Sequence, residues 1–207
     1  MKIALIGYGR MGKEIERSAL LRGHTLTSKE EAAVWIDFSN PVGILERINE
    51  ALTSQKPLVI GTTGWDEKKE EAKNLTLIKE GSIFFAPNFS LGVNLFLKII
   101  QEAYKLLAPL HLYDVAGHEI HHNQKMDSPS GTAKLLSTII GKEFSSTRVG
   151  HVPGTHSIIF DSPFDTITLT HEARSREGFA LGAVIAAEWL IGKKGFFTME
   201  NLMEAYA

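Results

Sequence analysis

The chain has 207 residues, with 22 Lys plus Arg against 24 Asp plus Glu and a formal net charge of −2. That near-balance argues against nucleic acid as the partner, which calls for a basic excess or stripe. The cysteine count is 0, so a disulfide scaffold, a thiolate zinc site and a cysteine nucleophile are excluded.

At about 150 residues per domain, the length allows one or two domains. The apolar run at residues 3–6 is too short for a signal peptide. The run at 179–187 stops at Glu188, short of a bilayer span. The expectation is a cytoplasmic protein with no membrane contact.

The first half alternates strand-like and helix-like pieces. Residues 2–6 form an apolar strand, and 10–22 are helical and end at Gly23, a natural C-terminal stop. A short strand at 24–27 and a β-rich run at 33–38 follow. Residues 42–53 carry apolar side chains at 45, 48 and 52, which is helical spacing, with Pro41 in the first turn. A strand at 58–60, a charged surface helix at 66–77 and a strand at 83–85 complete a β-α-β order. Such an order implies a parallel sheet with helices on both faces.

The second half reads differently. A long amphipathic helix spans 93–107, a strand 112–120, and a helix capped by Ser130 spans 130–140. Strands at 155–160 and 165–173 follow. In the latter, Ile167, Leu169, His171 and Ala173 alternate with Thr166, Thr168 and Thr170, the pattern of an antiparallel strand with one packed face. An alanine-rich helix closes the pattern at about 177–191. The expected fold is α/β: a Rossmann-type parallel sheet plus a smaller mixed α+β domain. Its expected division is residues 1–91 with 176–207 as the dinucleotide domain, and 92–175 for substrate binding and oligomerisation.

Gly7-Tyr8-Gly9-Arg10-Met11-Gly12 is G-x-G-x-x-G, directly after the first strand and opening a helix. Two glycines let the backbone turn and approach a pyrophosphate, and the third lets helix pack on strand. An ordinary glycine-rich turn is the bland alternative. Ser28 and Lys29 stand where the second strand ends; a hydroxyl and an amine suit a 2′-phosphate. Glu30 and Glu31 follow and suit a bare ribose diol, so NADPH and NADH both remain open. Gly61-Thr62-Thr63-Gly64 and Ala86-Pro87-Asn88-Phe89 follow consecutive strands, where open α/β sheets bind ligands. Plain turns are the competing reading of both.

The stretch from His118 to Ala133 is the most informative. It gathers His121, His122 and Lys125 ahead of the helix start at Ser130-Gly131-Thr132. On a strand, 121 and 122 point to opposite sides unless the strand has already ended. Imidazole suits proton transfer near neutral pH. A helix start offers amides and hydroxyls to a carboxylate. The residues describe a site for a small anionic substrate that receives a proton. No zinc spacing such as H-E-x-x-H is present, and no metal is expected. Glu119 has a bland reading as the partner of a histidine or lysine, and Ser130–Thr132 as a plain cap.

Residues 119–133 resemble the 4-hydroxy-tetrahydrodipicolinate reductase (dihydrodipicolinate reductase) family, whose motif is E-x-H-H-x-x-K-x-D-(A/S)-P-S-G-T-A. The glycine loop, Asp37-Phe38-Ser39, Gly61–Gly64, Pro87–Ser90 and Arg148-Val149-Gly150 resemble it in order. The resemblance implies NAD(P)H-dependent reduction in diaminopimelate and lysine synthesis, with hydride delivered to C4 of the dehydrated cyclic imine. It implies His121 as acid/base and Lys125 as proton donor. His122, Gly131 and Thr132, with Ser130 at the helix start, hold substrate carboxylates. Gly7 to Gly12, Gly61 to Thr63 and Ala86 to Phe89 hold the cofactor. It also implies a homotetramer. Two departures concern the cofactor: the glycine loop is shorter than in many members, and the segment after Thr27 lacks a clear acidic or basic pair. Another Rossmann amino-acid or aldehyde dehydrogenase is the runner-up. A dinucleotide-sensing module is the third reading, and it has no need of Lys125.

Overall fold

In a computed structural model, which describes residues 1–206, strand β1 (Lys2–Ile6) is followed at once by helix α1 (Arg10–Leu21). Strands β2 (Thr25–Leu26), β3 (Val34–Asp37), β4 (Leu58–Ile60) and β5 (Ser82–Phe85) come next, with helices α2 (Ile44–Thr53) and α3 (Lys69–Ile78) between them. The chain divides into two compact units. One is Met1–Leu91 with Glu177–Ala207, and the other is Gly92–Arg176.

The first unit is a six-stranded parallel sheet in the order β10-β5-β4-β3-β1-β2, where β10 is Gly195–Phe197. Every residue of β3, β4 and β5 is buried, as a parallel sheet covered on both faces requires. Val34, Ile36 and Phe84 face a core shared with α1, α6 (Glu177–Leu190) and α7 (Met199–Glu204). Trp35, Ile83 and Phe85 face the opposite core with Ile48, Leu52 and Ala72. Gly182 in α6 is needed for close packing, because a side chain there would strike the Phe89 carbonyl. Glu188 on α6 receives Arg22 through two nitrogens, each at 2.7 Å, and lies 2.6 Å from His24.

The second unit holds helix α4 (Leu91–Leu107), strand β6 (Asp114–His121), helix α5 (Gly131–Ile140) and strands β7 (Phe144–Arg148), β8 (Thr155–Asp161) and β9 (Thr166–Glu172). Its sheet order is β7-β6-β8-β9; β6 and β7 are parallel, and the other pairs are antiparallel. Phe96 and Ile100 of α4, Leu136 and Ile140 of α5, and Phe144, Ile158 and Phe160 of the sheet form the core. The outer face carries residues such as Ser157, Ile159, Thr168 and Thr170. No helix among the described residues is long and apolar enough to cross a membrane.

Several elements differ from the sequence expectation. Pro41 lies ahead of α2, which begins after Gly43 in the left-handed region. The segment expected as one helix at 66–77 starts as a 3-10 turn at Asp66–Lys68 and becomes α-helical at Lys69. Strands β7 and β10 and helix α7 were not expected. The sequence of β7, FSSTR, has one apolar residue, and a neighbouring strand supplies its backbone partners. The apolar side of β9 is only partly packed: Ile167 is 38% exposed, because β9 is an edge strand.

Candidate active site

The glycine turn has a distinct requirement at each position. Gly7 has φ +90°, and a methyl group there would sit 2.6 Å from the Phe38 carbonyl oxygen. Only glycine meets both conditions. A side chain on Gly12 would press on the Gly7 carbonyl, so this glycine sets the approach of helix to strand. Gly9 has nothing within 4 Å of where a side chain would stand. Its lack of a side chain leaves open space at the start of α1, whose first turn has no acidic residue. Open space beside free amides is what a pyrophosphate needs, and a dinucleotide fits this turn. Tyr8 is exposed and donates its hydroxyl to Glu16; Arg10 is exposed and Met11 half-buried. Gly9→Ala is expected to keep the fold, with a melting temperature within about 2 °C of wild type. It is expected to weaken NADPH binding at least about tenfold, as read by fluorescence titration.

The other expected cofactor residues divide into exposed and buried ones. Thr63 and Pro87 are exposed, and Asn88 is half-buried. Thr62 is buried: its hydroxyl receives Ser39 N at 3.0 Å and donates to Asp37 Oδ1 at 3.1 Å. Ala86 and Phe89 belong to the core. Gly61 makes room for the Phe38 ring. Ser28 is exposed. Lys29 lies over the Trp35 ring at 4.9 Å and is paired with Glu50 at 2.7 Å.

The second unit gathers the chemical residues. Strand β6 ends at His121, so His122 leaves the sheet and the alternation of the strand no longer governs it. His122 lines a cavity of about 220 Å³ with Asn123, Gln124, His151 and Arg176. His151 and Arg176 bring an imidazole and a guanidinium to this cavity from outside the 118–133 stretch. Lys125 donates to Asp127 at 2.6 Å, and this ammonium holds the Asp127 carboxyl below its ordinary range.

Glu119 and His121 share the buried, helix-covered side of β6, whereas His118 is on the other side and contacts Ser145 Oγ at 2.8 Å. Glu119 is fully buried. Its Oε1 accepts from Ser130 N at 3.0 Å, Ser146 Oγ at 2.8 Å and Arg148 Nη2 at 2.9 Å. Its Oε2 is 3.3 Å from His121 Nδ1 and 3.5 Å from His156 Nε2. Ser130 is also buried. Its hydroxyl accepts the Ala133 amide at 3.2 Å, capping α5, and lies 3.1 Å from His156 Nε2. Gly131 is exposed and Thr132 half-buried, so these two present the open part of the helix start. Glu119, His121 and His156 bring ligand-type atoms within 4.8 Å of one another. The Arg148 guanidinium already neutralises that carboxylate, which makes the cluster a buried ion-pair network and a poor cation site.

Burial raises the Glu119 pKa, but the donors Ser130, Arg148 and Ser146 outweigh it and bring the group down to about 2. Burial pushes His156 down to about 4, with the neighbouring His121 adding to the effect. Burial also lowers His121, against the upward pull of Glu119. Both Glu119 and His156 bind fewer protons folded than unfolded, so both destabilise the fold as pH falls. His156 acts between its ordinary 6.5 and about 4, and Glu119 between its ordinary 4.5 and about 2. Urea-unfolding free energy is therefore expected to fall steadily from pH 6.5 downward. In His156→Asn the decline is expected to be shallower but still to begin near pH 6.5, because burial also lowers His121 and His171.

A Rossmann-type sheet with a glycine turn, in one chain with a unit carrying a buried imidazole, a lysine and a capped helix start, defines a dinucleotide-dependent oxidoreductase class. The model described as "Dihydrodipicolinate reductase, N-terminus" matches residues 19–89, and that described as "Dihydrodipicolinate reductase, C-terminus" matches 92–203. A protein named 4-hydroxy-tetrahydrodipicolinate reductase from Christiangramia forsetii is 39% identical over 98% of both chains. One of the same name from Staphylococcus haemolyticus is 35% identical over 98% of this chain and 100% of its own. The chain belongs to the dihydrodipicolinate reductase family.

The glycine turn lies outside the matched N-terminal span, so its reading rests on its own geometry. Among solved structures, a dipicolinate-bound dihydrodipicolinate reductase from Paenisporosarcina sp. TG-14 gives a TM-score of 0.80 at 22% identity, covering 97% of this chain and 98% of that one. An aspartate semialdehyde dehydrogenase II from Vibrio cholerae gives 0.56 at 12% identity, covering 92% and 98%. At those identities the structures show the fold alone.

Proposed function

We propose that this chain reduces 4-hydroxy-tetrahydrodipicolinate, as its dehydrated form, to tetrahydrodipicolinate, using NADPH or NADH. The observation that carries the reading is local. A buried imidazole, His121, ends β6 four residues ahead of Lys125, and both precede the capped start of α5. When bound, the nicotinamide supplies the hydride. Electrons released by hydride addition at C4 collect on the ring nitrogen of the substrate, which then takes a proton. His121 and Lys125 are the groups that handle those protons. His122 and the amides of Gly131 and Thr132 hold the carboxylates, with Ser130 fixing the helix start from beneath.

Ser28 and Lys29 are proposed to meet the ribose end of the cofactor. The Lys29–Glu50 pair is a surface ion pair, worth less than about 1 kcal/mol, and is easily exchanged for a phosphate partner. The family resemblance supports a homotetramer, with the outer face of the four-stranded sheet as the contact. Light scattering on the purified protein is expected to give four times the 22.9 kDa chain mass.

The direct test follows NAD(P)H absorbance with substrate generated in situ by the preceding synthase. Turnover with either cofactor supports the reading, and no turnover with both sinks it. Lys29→Glu is expected to lower kcat/KM for NADPH about tenfold and to leave NADH nearly unchanged, because a carboxylate repels a 2′-phosphate.

A further inference from the structure

Glu119 and Gly154 flank opposite edges of the His121 ring. The Glu119 carboxylate is immobilised through Oε1, which takes hydrogen bonds from the start of α5 and from two residues of β7. Three donors on one oxygen fix the carboxylate plane and leave Oε2 directed at the imidazoles. Two rings compete for that oxygen. His156 Nε2 has a second neighbour in Ser130 Oγ at 3.1 Å. His121 Nδ1 is buried and has no hydrogen bond among the described residues; Oε2 at 3.3 Å is its contact.

The other edge of the ring faces Gly154. Its Cα is buried, and a methyl group there would stand 2.9 Å from His121 Nε2 and 3.2 Å from Cδ2. The ring also meets His156 edge to face, with centroids 5.1 Å apart.

We propose that Glu119 and Gly154 are positioning residues for His121: Glu119 holds the proton on Nδ1, so that Nε2 is the atom that exchanges protons, and Gly154 lets the backbone pass close to the ring without displacing it. An ionised carboxylate only accepts hydrogen bonds, so its presence at Nδ1 selects the tautomer with hydrogen there. At 3.3 Å the two atoms are in contact but not aligned as a hydrogen bond; such catalytic hydrogen bonds are often poorly aligned until substrate binds. The same division of labour, with a buried carboxylate orienting an imidazole, recurs in unrelated acid–base sites. The charged and titratable groups facing His121 are Glu119 on β6, Lys125 and Asp127 in the following loop, Arg148 on β7 and His156 on β8. Glu119 raises the proton affinity of the ring, so its loss moves the histidine limb of the pH profile to lower pH.

The inference rests on the reading of His121 as the acid/base, but its first test needs no substrate. Long-range nitrogen–proton correlation spectra of the wild-type protein, with His121 assigned by loss of its signal in His121→Asn, are expected to show hydrogen on Nδ1 and a bare Nε2. Hydrogen on Nε2 overturns the proposal, whether or not the enzyme turns over. In Glu119→Gln the two tautomers are expected to mix. kcat is expected to fall at least about tenfold with NADPH affinity unchanged, and the histidine limb to shift to lower pH. Gly154 has φ +154°, so Gly154→Ala strains the backbone as well as crowding the ring; it is expected to lower kcat similarly with the same tautomer retained, because the ring is displaced without losing its carboxylate. If a variant does not fold, the wild-type spectrum decides. Wild-type kcat and pH profile in both variants overturn the proposal. A correct tautomer in a protein that never turns over the substrate leaves the positioning intact and refutes the assigned reaction instead.

Discussion

His121→Ala is expected to lower kcat by about 10²- to 10⁴-fold, the usual span for removing a positioned acid or base. Lys125→Ala is expected to fall in the same range. The two residues serve one proton-transfer event, so the double variant is expected to be far less impaired than the product of the two single losses. NADPH affinity is expected to stay within about twofold of wild type in all three, because the residues proposed to hold the cofactor belong to the other unit of the fold. The fold should also survive. Lys125 is partly exposed, and its bond to Asp127 is a surface pair, worth less than about 1 kcal/mol. Steady-state kinetics with fluorescence titration of the cofactor checks both parts. Wild-type kcat in either single variant removes that residue from the mechanism. A sensing module would bind cofactor equally well in all forms and turn over in none.

Arg47→Ala is expected to destabilise the first unit by about 3–5 kcal/mol, the range for removing one partner of a buried ion pair. Asp37 has no exposed surface, and Arg47 Nε meets its Oδ2 at 2.7 Å. The other guanidinium nitrogens bind the Val42 carbonyl at 2.6 Å and the Asn40 carbonyl at 2.5 Å. Without Arg47, Oδ2 keeps its burial and loses its counter-charge, and the loop after β3 loses two anchors. Asp37 Oδ1 still receives Ser39 N at 2.9 Å, Ser39 Oγ at 2.5 Å and Thr62 Oγ1 at 3.1 Å, so the loop keeps part of its shape. At about 2–4 °C per kcal/mol for a chain of this size, the melting temperature falls by roughly 6–20 °C. Asp37→Asn combined with Arg47→Ala is expected to recover part of the loss, because the uncompensated charge is gone. Differential scanning calorimetry of the three variants checks this. A loss below about 1 kcal/mol in Arg47→Ala would falsify the view of Asp37 as a buried, paired anchor.

Asp37 shows where sequence reading falls short. It stands in a segment that resembles the family, yet nothing in the local pattern names Arg47, ten residues on, as its partner. Glu119 is similar: a partnering role with a histidine or lysine is the bland reading of its motif, and the structure brings it two imidazoles and an arginine. Its donors Ser146 and Arg148 are 27 and 29 residues away, on a strand whose Ser- and Thr-rich sequence gives no β signal. Ser130 reads from sequence both as a cap and as a substrate contact; in the fold its hydroxyl is taken by the cap and by His156.

The sequence by itself determined the parallel sheet of the first half, the glycine turn at the end of β1, the helix start at Ser130 and the placing of His121, His122 and Lys125 within one short stretch of chain. All of these depend on near neighbours in the chain, where period, capping and glycine geometry act within a few residues. Only the tertiary structure decided which side chains meet across β6, β7 and β8. That pairing places Glu119 between His121, His156 and Arg148, and sends His122 away to the cavity with His151 and Arg176. The reason is physical: burying a carboxylate requires donors from several strands at once, and strand register, which no single segment specifies, supplies them.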